Sequence, residues 1–165
     1  MTLIDAPAFD VRRANRNRNI GIAAAAIVVL LLVLTVLGYI LGHGWFFSNL
    51  PAEHRVGEFY TALEQKEYAK AYGIYQNDSD WQKHPDKYSG YPLSRFTEDW
   101  TTYSPVSGPI KTHHVDVSRT DGTGNLGSGI IVGATLNGNT EKRSFIYVNR
   151  ADGTFTYPAP HIIEY

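Results

Sequence analysis

The 165-residue chain contains no cysteine. This excludes disulfides, thiolate metal sites and a cysteine nucleophile together. It also removes a lipid-bearing cysteine as a route to the membrane. Charge of one sign is equally scarce: the net charge is −1. Nucleic-acid binding favours a strongly basic face, so no nucleic-acid partner is expected. Missing too are a serine elbow, a phosphate loop and a dinucleotide glycine pattern. Gly122, Gly124, Gly127 and Gly129 lie in a turn context with no following helix and read as turn and bend residues. The adjacent His113 and His114 would point to opposite faces of a strand, and His161 joins either only through tertiary folding. Three converging ligands are lacking, so neither a metal nor a cofactor is expected.

Charge is absent altogether from residues 20–41, a run of 22 residues. At about 1.5 Å per residue it spans about 33 Å, against a hydrocarbon core of about 30 Å. Fourteen of its residues are Leu, Ile or Val. At roughly 0.3–0.6 kcal/mol each, they favour insertion by about 4–8 kcal/mol. The run is apolar all round, unlike an amphipathic surface helix. It exceeds the roughly 7–15 apolar residues of a cleaved signal peptide, although Gly42 and Gly44 would suit a cleavage site. Arg12-Arg13 lacks the apolar residues that usually follow in a twin-arginine export signal, so the pair reads as topology charge.

The chain therefore divides into a disordered cytoplasmic tail (1–19), a transmembrane helix (20–41), a juxtamembrane linker (42–51) and a folded domain (52–165). Arg12, Arg13, Arg16 and Arg18 precede the span, and Tyr39, Trp45, Phe46 and Phe47 cluster at its far end. Positive residues stay inside and aromatic rings favour the headgroup level. This predicts a single-pass protein of a bacterial inner (plasma) membrane, with a cytoplasmic N-terminus and a periplasmic or extracellular domain.

Within the domain, Val56, Phe59, Tyr60 and Leu63 fall on one helical face, as do Tyr68, Ala71, Tyr72 and Tyr75. The two sets are out of phase by about one residue, which predicts two helices with a break at 65–67. Pro51 suits a first helical turn, with Glu53 near the positive end of the helix dipole. Residues 77–92 form a long irregular stretch bearing Trp81, His84, Tyr88 and Tyr91, rings that pack down on the core or cover a cavity. A third helix is expected over 94–103, with Ser94 as N-cap, ended by Pro105. The period then switches to two, giving strands over 110–119, 128–136, 140–150 and 154–157. Asn137-Gly138 is a hairpin turn and Asp152-Gly153 another turn. Ile130, Val132, Ala134 and Leu136 make one apolar face; Gly129 and Gly133 lie on the other, where they permit bending or close approach of another element. Helices first and hairpin-linked strands after indicate an α+β fold, with helices on one face of an antiparallel sheet.

The stretches Phe59-Tyr60-Thr61-Ala62-Leu63 and Tyr68-Ala69-Lys70-Ala71-Tyr72, then Trp100 ahead of the strands, resemble small exported members of the nuclear-transport-factor-2-like superfamily. The resemblance covers about residues 52–157. It implies a cone of two to three helices packed on a curved four-stranded antiparallel sheet. The superfamily includes isomerases, cyclases and dehydratases beside many members without enzyme activity, so fold alone does not decide function. Membrane-anchored members serve secretion systems and lipid-import operons, and this chain resembles them in layout.

An enzyme of this type would need an acid or base inside the cone, its proton affinity tuned by apolar walls. His113 and Asp116 are the candidates, with Tyr60, Trp100 and Tyr147 as further pocket-lining residues. His114 and Asp116 share one strand face; His113 shares the other with Val115 and Val117. The plainer account places the histidines at an exposed strand start. The leading expectation is a non-enzymatic binding or assembly module, taking a small apolar ligand in the cone or a protein partner on the sheet. An isomerase, dehydratase or cyclase-like enzyme, and a structural subunit of a secretion or envelope transport complex, are the alternatives. The bilayer is a partner in every case, and a homodimer through the sheet is open.

Overall fold

The computed structural model describes residues 11–44, 46–121 and 129–159. The chain forms two units, Met1–Leu37 and Gly38–Tyr165. Helix α1 (Val11–Ile40) has 30 residues and is long and apolar enough to cross a membrane; its most apolar stretch is not buried in protein. Residues 11–19, expected in a disordered tail, form its first turns. No Gly or Pro interrupts them, and extending a helix is far easier than nucleating one.

The second unit contains α2 (Phe46–Glu64), α3 (Tyr68–Gln76), α4 (Leu93–Thr101), β1 (His113–Asp121), β2 (Gly129–Leu136), β3 (Asn139–Asn149) and β4 (Phe155–Thr156). The strands pair antiparallel in the order β1-β2-β3-β4. Helix α2 packs on β1 and β2, and α3 packs on α2, α4 and β4. The α+β class and the four antiparallel strands paired in chain order match the sequence pattern. Both expected helical stripes face the core: Val56, Phe59 and Tyr60 are fully buried, as are Ala71 and Tyr72.

The break between α2 and α3 is a Schellman turn. Glu67 N–H donates to Ala62 O (2.8 Å) and Lys66 N–H to Leu63 O (3.0 Å), with Lys66 at φ 60°. Helix α3 ends the same way, Asn77 taking the left-handed position and Asp78 N–H reaching Gly73 O (2.9 Å). The irregular stretch holds two short 3-10 turns, Trp81–Lys83 and Pro85–Tyr88. It packs down as its aromatics suggest: Trp81 donates to Ala69 O (3.1 Å), Tyr88 to Asp78 (2.5 Å) and Tyr91 to Asp99 (3.0 Å). Helix α4 starts at Leu93 after Pro92, one residue ahead of the expected Ser94 cap.

Helix α2 starts five residues before Pro51, which sits inside it. A buried polar network holds these early turns. The Asn49 side chain, 0% exposed, donates to Ser118 Oγ (3.1 Å) and accepts from Ser48 Oγ (2.8 Å) and Thr120 Oγ1 (3.2 Å). Ser118 in turn donates its hydroxyl to His43 O (2.9 Å) and its backbone N–H to Gly42 O (2.9 Å). His43 Nδ1 lies 2.9 Å from Glu53 Oε1. Gly44, at φ 59°, passes so close that a Cβ would stand 2.4 Å from the Asn49 amide nitrogen. The segment expected as a linker over 42–51 is therefore part of the domain.

The hairpin between β2 and β3 turns at Asn137 and Gly138, both at positive φ, as the Asn-Gly signal requires. The Asn137 side chain also accepts from Lys111 N–H (2.7 Å) and Thr112 N–H (3.2 Å). These residues are held by that side chain and by one backbone bond, Asn137 N–H to Thr112 O (2.9 Å), and β1 begins at His113 instead of residue 110. Within β1, Val115 pairs with Ala134 and Val117 with Gly133, so Asp116 is the extra residue of a bulge. The bulge overturns the expected common face of Val115 and Val117. Val115 packs on the helix-side core, and Val117 on the opposite face with Ile131 and Tyr147.

Candidate functional site

The helix-side interior is filled by aromatic rings. Phe59 is the hub, touching Tyr60, Tyr75, Phe96, Trp100 and Phe155 with centroids 4.9–6.2 Å apart, mostly edge to face. Tyr60 and Trp100, expected to line a pocket, are core residues, 0% and 2% exposed. The Tyr60 hydroxyl bonds to Ser144 Oγ at 3.0 Å, and burial pushes its proton affinity well above the ordinary tyrosine range.

Tyr147, expected beside them, lies on the other face of the sheet with Val117 and Ile131. Its residue parity matches Phe145, not the inward-facing Ile146 and Val148. Asp116 also faces that side, accepting from Thr135 Oγ1 (2.7 Å) with Arg143 Nε at 3.4 Å. The two proposed acid–base residues therefore sit on opposite faces and cannot act on one substrate. Among the described residues of the second unit, the exposed large apolar side chains are Tyr39, Ile40, Leu41, Phe47, Leu50 and Tyr103, none of them on the sheet.

His113 stands at the edge of the core, its ring 5.6 Å from that of Tyr60. Its Nδ1 lies 2.6 Å from Glu64 Oε1, a contact 49 residues apart in sequence, with both side chains largely buried. A carboxylate accepts, so Nδ1–H donates, and Nε2 is the nitrogen that lies over Gly57. His113 opens on a cleft of about 700 Å³ that also involves His54, Gly57, Glu58, Thr61, Lys70 and Ile74. A second cleft of about 530 Å³ adjoins it through Glu58, Lys70 and Ile74, and continues past Arg55 to Trp81. Together they form a groove over α2 and α3, on the outside of the helical layer. Both volumes are within the usual range for small-ligand sites, about 300–1,000 Å³.

Arg55 and Trp81 give the second cleft its character. The Arg55 Nη2 donates to Gly153 O (2.9 Å) and Ile74 O (3.3 Å), and the guanidinium lies 5.0 Å from the Phe155 ring centroid. Burial lowers its proton affinity, opposed by the field of Glu58. Trp81 packs edge to face on Tyr72 at 4.9 Å. Gly73 makes room for it, since a Cβ there would stand 3.3 Å from the indole. Sequence spacing did not single out Arg55 or Glu64, because each acts across an element boundary and belongs to no local motif.

Arg12, Arg16 and Arg18 are exposed on the first turns of α1, as is Arg13, and Tyr39 is exposed near its end. Trp45 and the side chain of Phe46 lie outside the described residues, as do His161 and the glycines at 122, 124 and 127. Among the described residues no cluster of three or more His, Asp or Glu is arranged to hold a metal ion. Comparison with protein-family models, with curated proteins and with solved structures finds no match to this chain.

Proposed function

We propose that this chain is a single-pass, membrane-anchored, non-enzymatic binding or assembly module of the bacterial envelope. Its N-terminus faces the cytoplasm, and a nuclear-transport-factor-2-like domain lies outside. One observation carries the binding role: the interior is packed with interlocked rings, whereas open volume runs along α2 and α3 as a charged groove. Ligand recognition belongs to that groove instead of the interior of a cone. The apolar α1 supplies the tether, and the arginines at its start supply the direction.

The absence of native cysteine makes the topology directly testable. Ser89→Cys and Asn15→Cys each place one thiol at an exposed position. In intact cells a membrane-impermeant maleimide labels Ser89→Cys, and labels Asn15→Cys only after the membrane is opened. The reverse pattern overturns the orientation; recovery of the chain in the soluble fraction overturns the anchor.

A second reading, an isomerase or dehydratase-like enzyme, is favoured by the Glu64–His113 pair, in which an oriented imidazole faces a cleft. Asp116 has no part in it. Turnover of any substrate that survives His113→Gln sinks this alternative.

A further inference from the structure

The groove's second cleft contains a guanidinium that forms no ion pair among the described residues, although the field of Glu58 reaches it. Arg55 makes two hydrogen bonds, both through Nη2 and both to backbone carbonyls, and no carboxylate ion-pairs with it. Glu58 acts on it through its field without an ion pair and stands 3.7 Å from His54, while Glu67 holds Lys70 (2.9 Å) and Asp78 receives the Tyr88 hydroxyl with Lys87 at 3.6 Å. A partly desolvated guanidinium is normally matched by an anion, and its planar donor fork suits a carboxylate.

We propose that this cleft binds a small organic monocarboxylate with an apolar body. Three features select that class. Arg55 supplies a positive charge at the cleft wall, where Lys70, paired with Glu67, is the other cation, and its Nη1 and Nε are not bonded to any described residue. Trp81, Ile74, Ala69 and Gly73 form an apolar wall. The indole is fixed by its bond to Ala69 O and its packing on Tyr72, so little rotamer freedom is lost when a ligand lies on it. Finally, Glu58 and Asp78 also line the cleft, and their charge disfavours a dianion such as phosphate relative to a monoanion. The proposal rests on the groove being the binding surface, and it names the ligand's chemistry there.

The test uses the full-length chain in lipid nanodiscs, with phenylacetate, its neutral isostere phenylacetamide, and inorganic phosphate as probes in calorimetric titration. Phenylacetate binds saturably, with an affinity on the order of 1 mM for so small a probe. The amide and phosphate bind at least roughly tenfold more weakly, as loss of a charge-assisted pair implies. Arg55→Gln abolishes the preference for acid over amide. Because Arg55 also ties α3 to the turn before β4, a second variant guards against misfolding. Gln82→Glu adds a negative charge to an exposed cleft residue, and it weakens phenylacetate while leaving the amide unchanged. Equal binding of acid and amide overturns the carboxylate assignment and leaves the groove a binding surface. Tighter binding of phosphate overturns the monoanion selection, and binding of none of the probes overturns both the assignment and the groove.

Discussion

Gly133 lies in the middle of β2, where replacing glycine by alanine ordinarily stabilises a strand by about 0.5–1 kcal/mol through backbone entropy. Here the opposite sign is expected. An added Cβ would stand 2.7 Å from Cε1 of Phe145 on β3 and 2.8 Å from Cγ2 of Val117 on β1. Ordinary carbon contact is about 3.5 Å, so each neighbour would have to withdraw by about 0.7 Å. Neither has an easy retreat: Val117 is β-branched and buried, and Phe145 is packed in the same outer cluster. Overpacking of this kind costs about 1–3 kcal/mol, leaving a net loss centred on about 1 kcal/mol after the entropy gain. Thermal unfolding of Gly133→Ala in detergent, followed by near-ultraviolet circular dichroism, should show a fall of about 4–8 °C. Adding Val117→Ala should make the double variant more stable than the sum of the two single effects. A rise in melting temperature for Gly133→Ala would refute the close-approach account and return the residue to ordinary strand behaviour.

Two further outcomes follow from local geometry and from burial. Lys66 adopts φ 60° at the end of α2, a conformation that costs most side chains about 1 kcal/mol, so Lys66→Gly should raise stability by up to about 1 kcal/mol in chemical denaturation. Burial raises the proton affinity of Tyr60, Tyr75, Tyr91 and Tyr157 in the folded state. Above about pH 10 the unfolded chain loses phenolic protons that the folded chain keeps, so stability is full below that pH and falls as pH rises. Ultraviolet phenolate absorbance should therefore rise together with loss of the folded signal; free titration of all tyrosines before unfolding would contradict it.

The sequence showed most of the fold through its periodicities. The stripes at 56/59/60/63 and 68/71/72/75 marked helices and their phase slip marked a turn, because one amphipathic face must keep to one core. Asn137-Gly138 announced a hairpin because its backbone requires positive φ. The bulge at Asp116 was hidden, since Val115-Asp116-Val117 alternates cleanly and only the partner strand shows two residues opposed to one. Likewise, the start of α2 depends on Ser118 and Thr120, some 70 residues downstream of Asn49, and Pro51 looked like a natural first turn. The candidate site was legible only in His113. Its partner Glu64 and the Arg55 cleft arise where helix, turn and strand meet, and no spacing rule reaches that far.

The network around Asn49 has a practical consequence at the sheet's edge. Strand β1 ends the sheet, and an unprotected edge is a template for pairing with another chain. Gly42 occupies part of that edge by accepting the Ser118 N–H, while His43 and Asn49 engage the neighbouring hydroxyl. A soluble form made by cutting at residue 52, where the sequence alone would put the boundary, loses this guard and uncovers polar groups of β1. Self-association of such a shortened chain would then report on the cut and not on any native oligomer; a form starting at residue 38 keeps this guard.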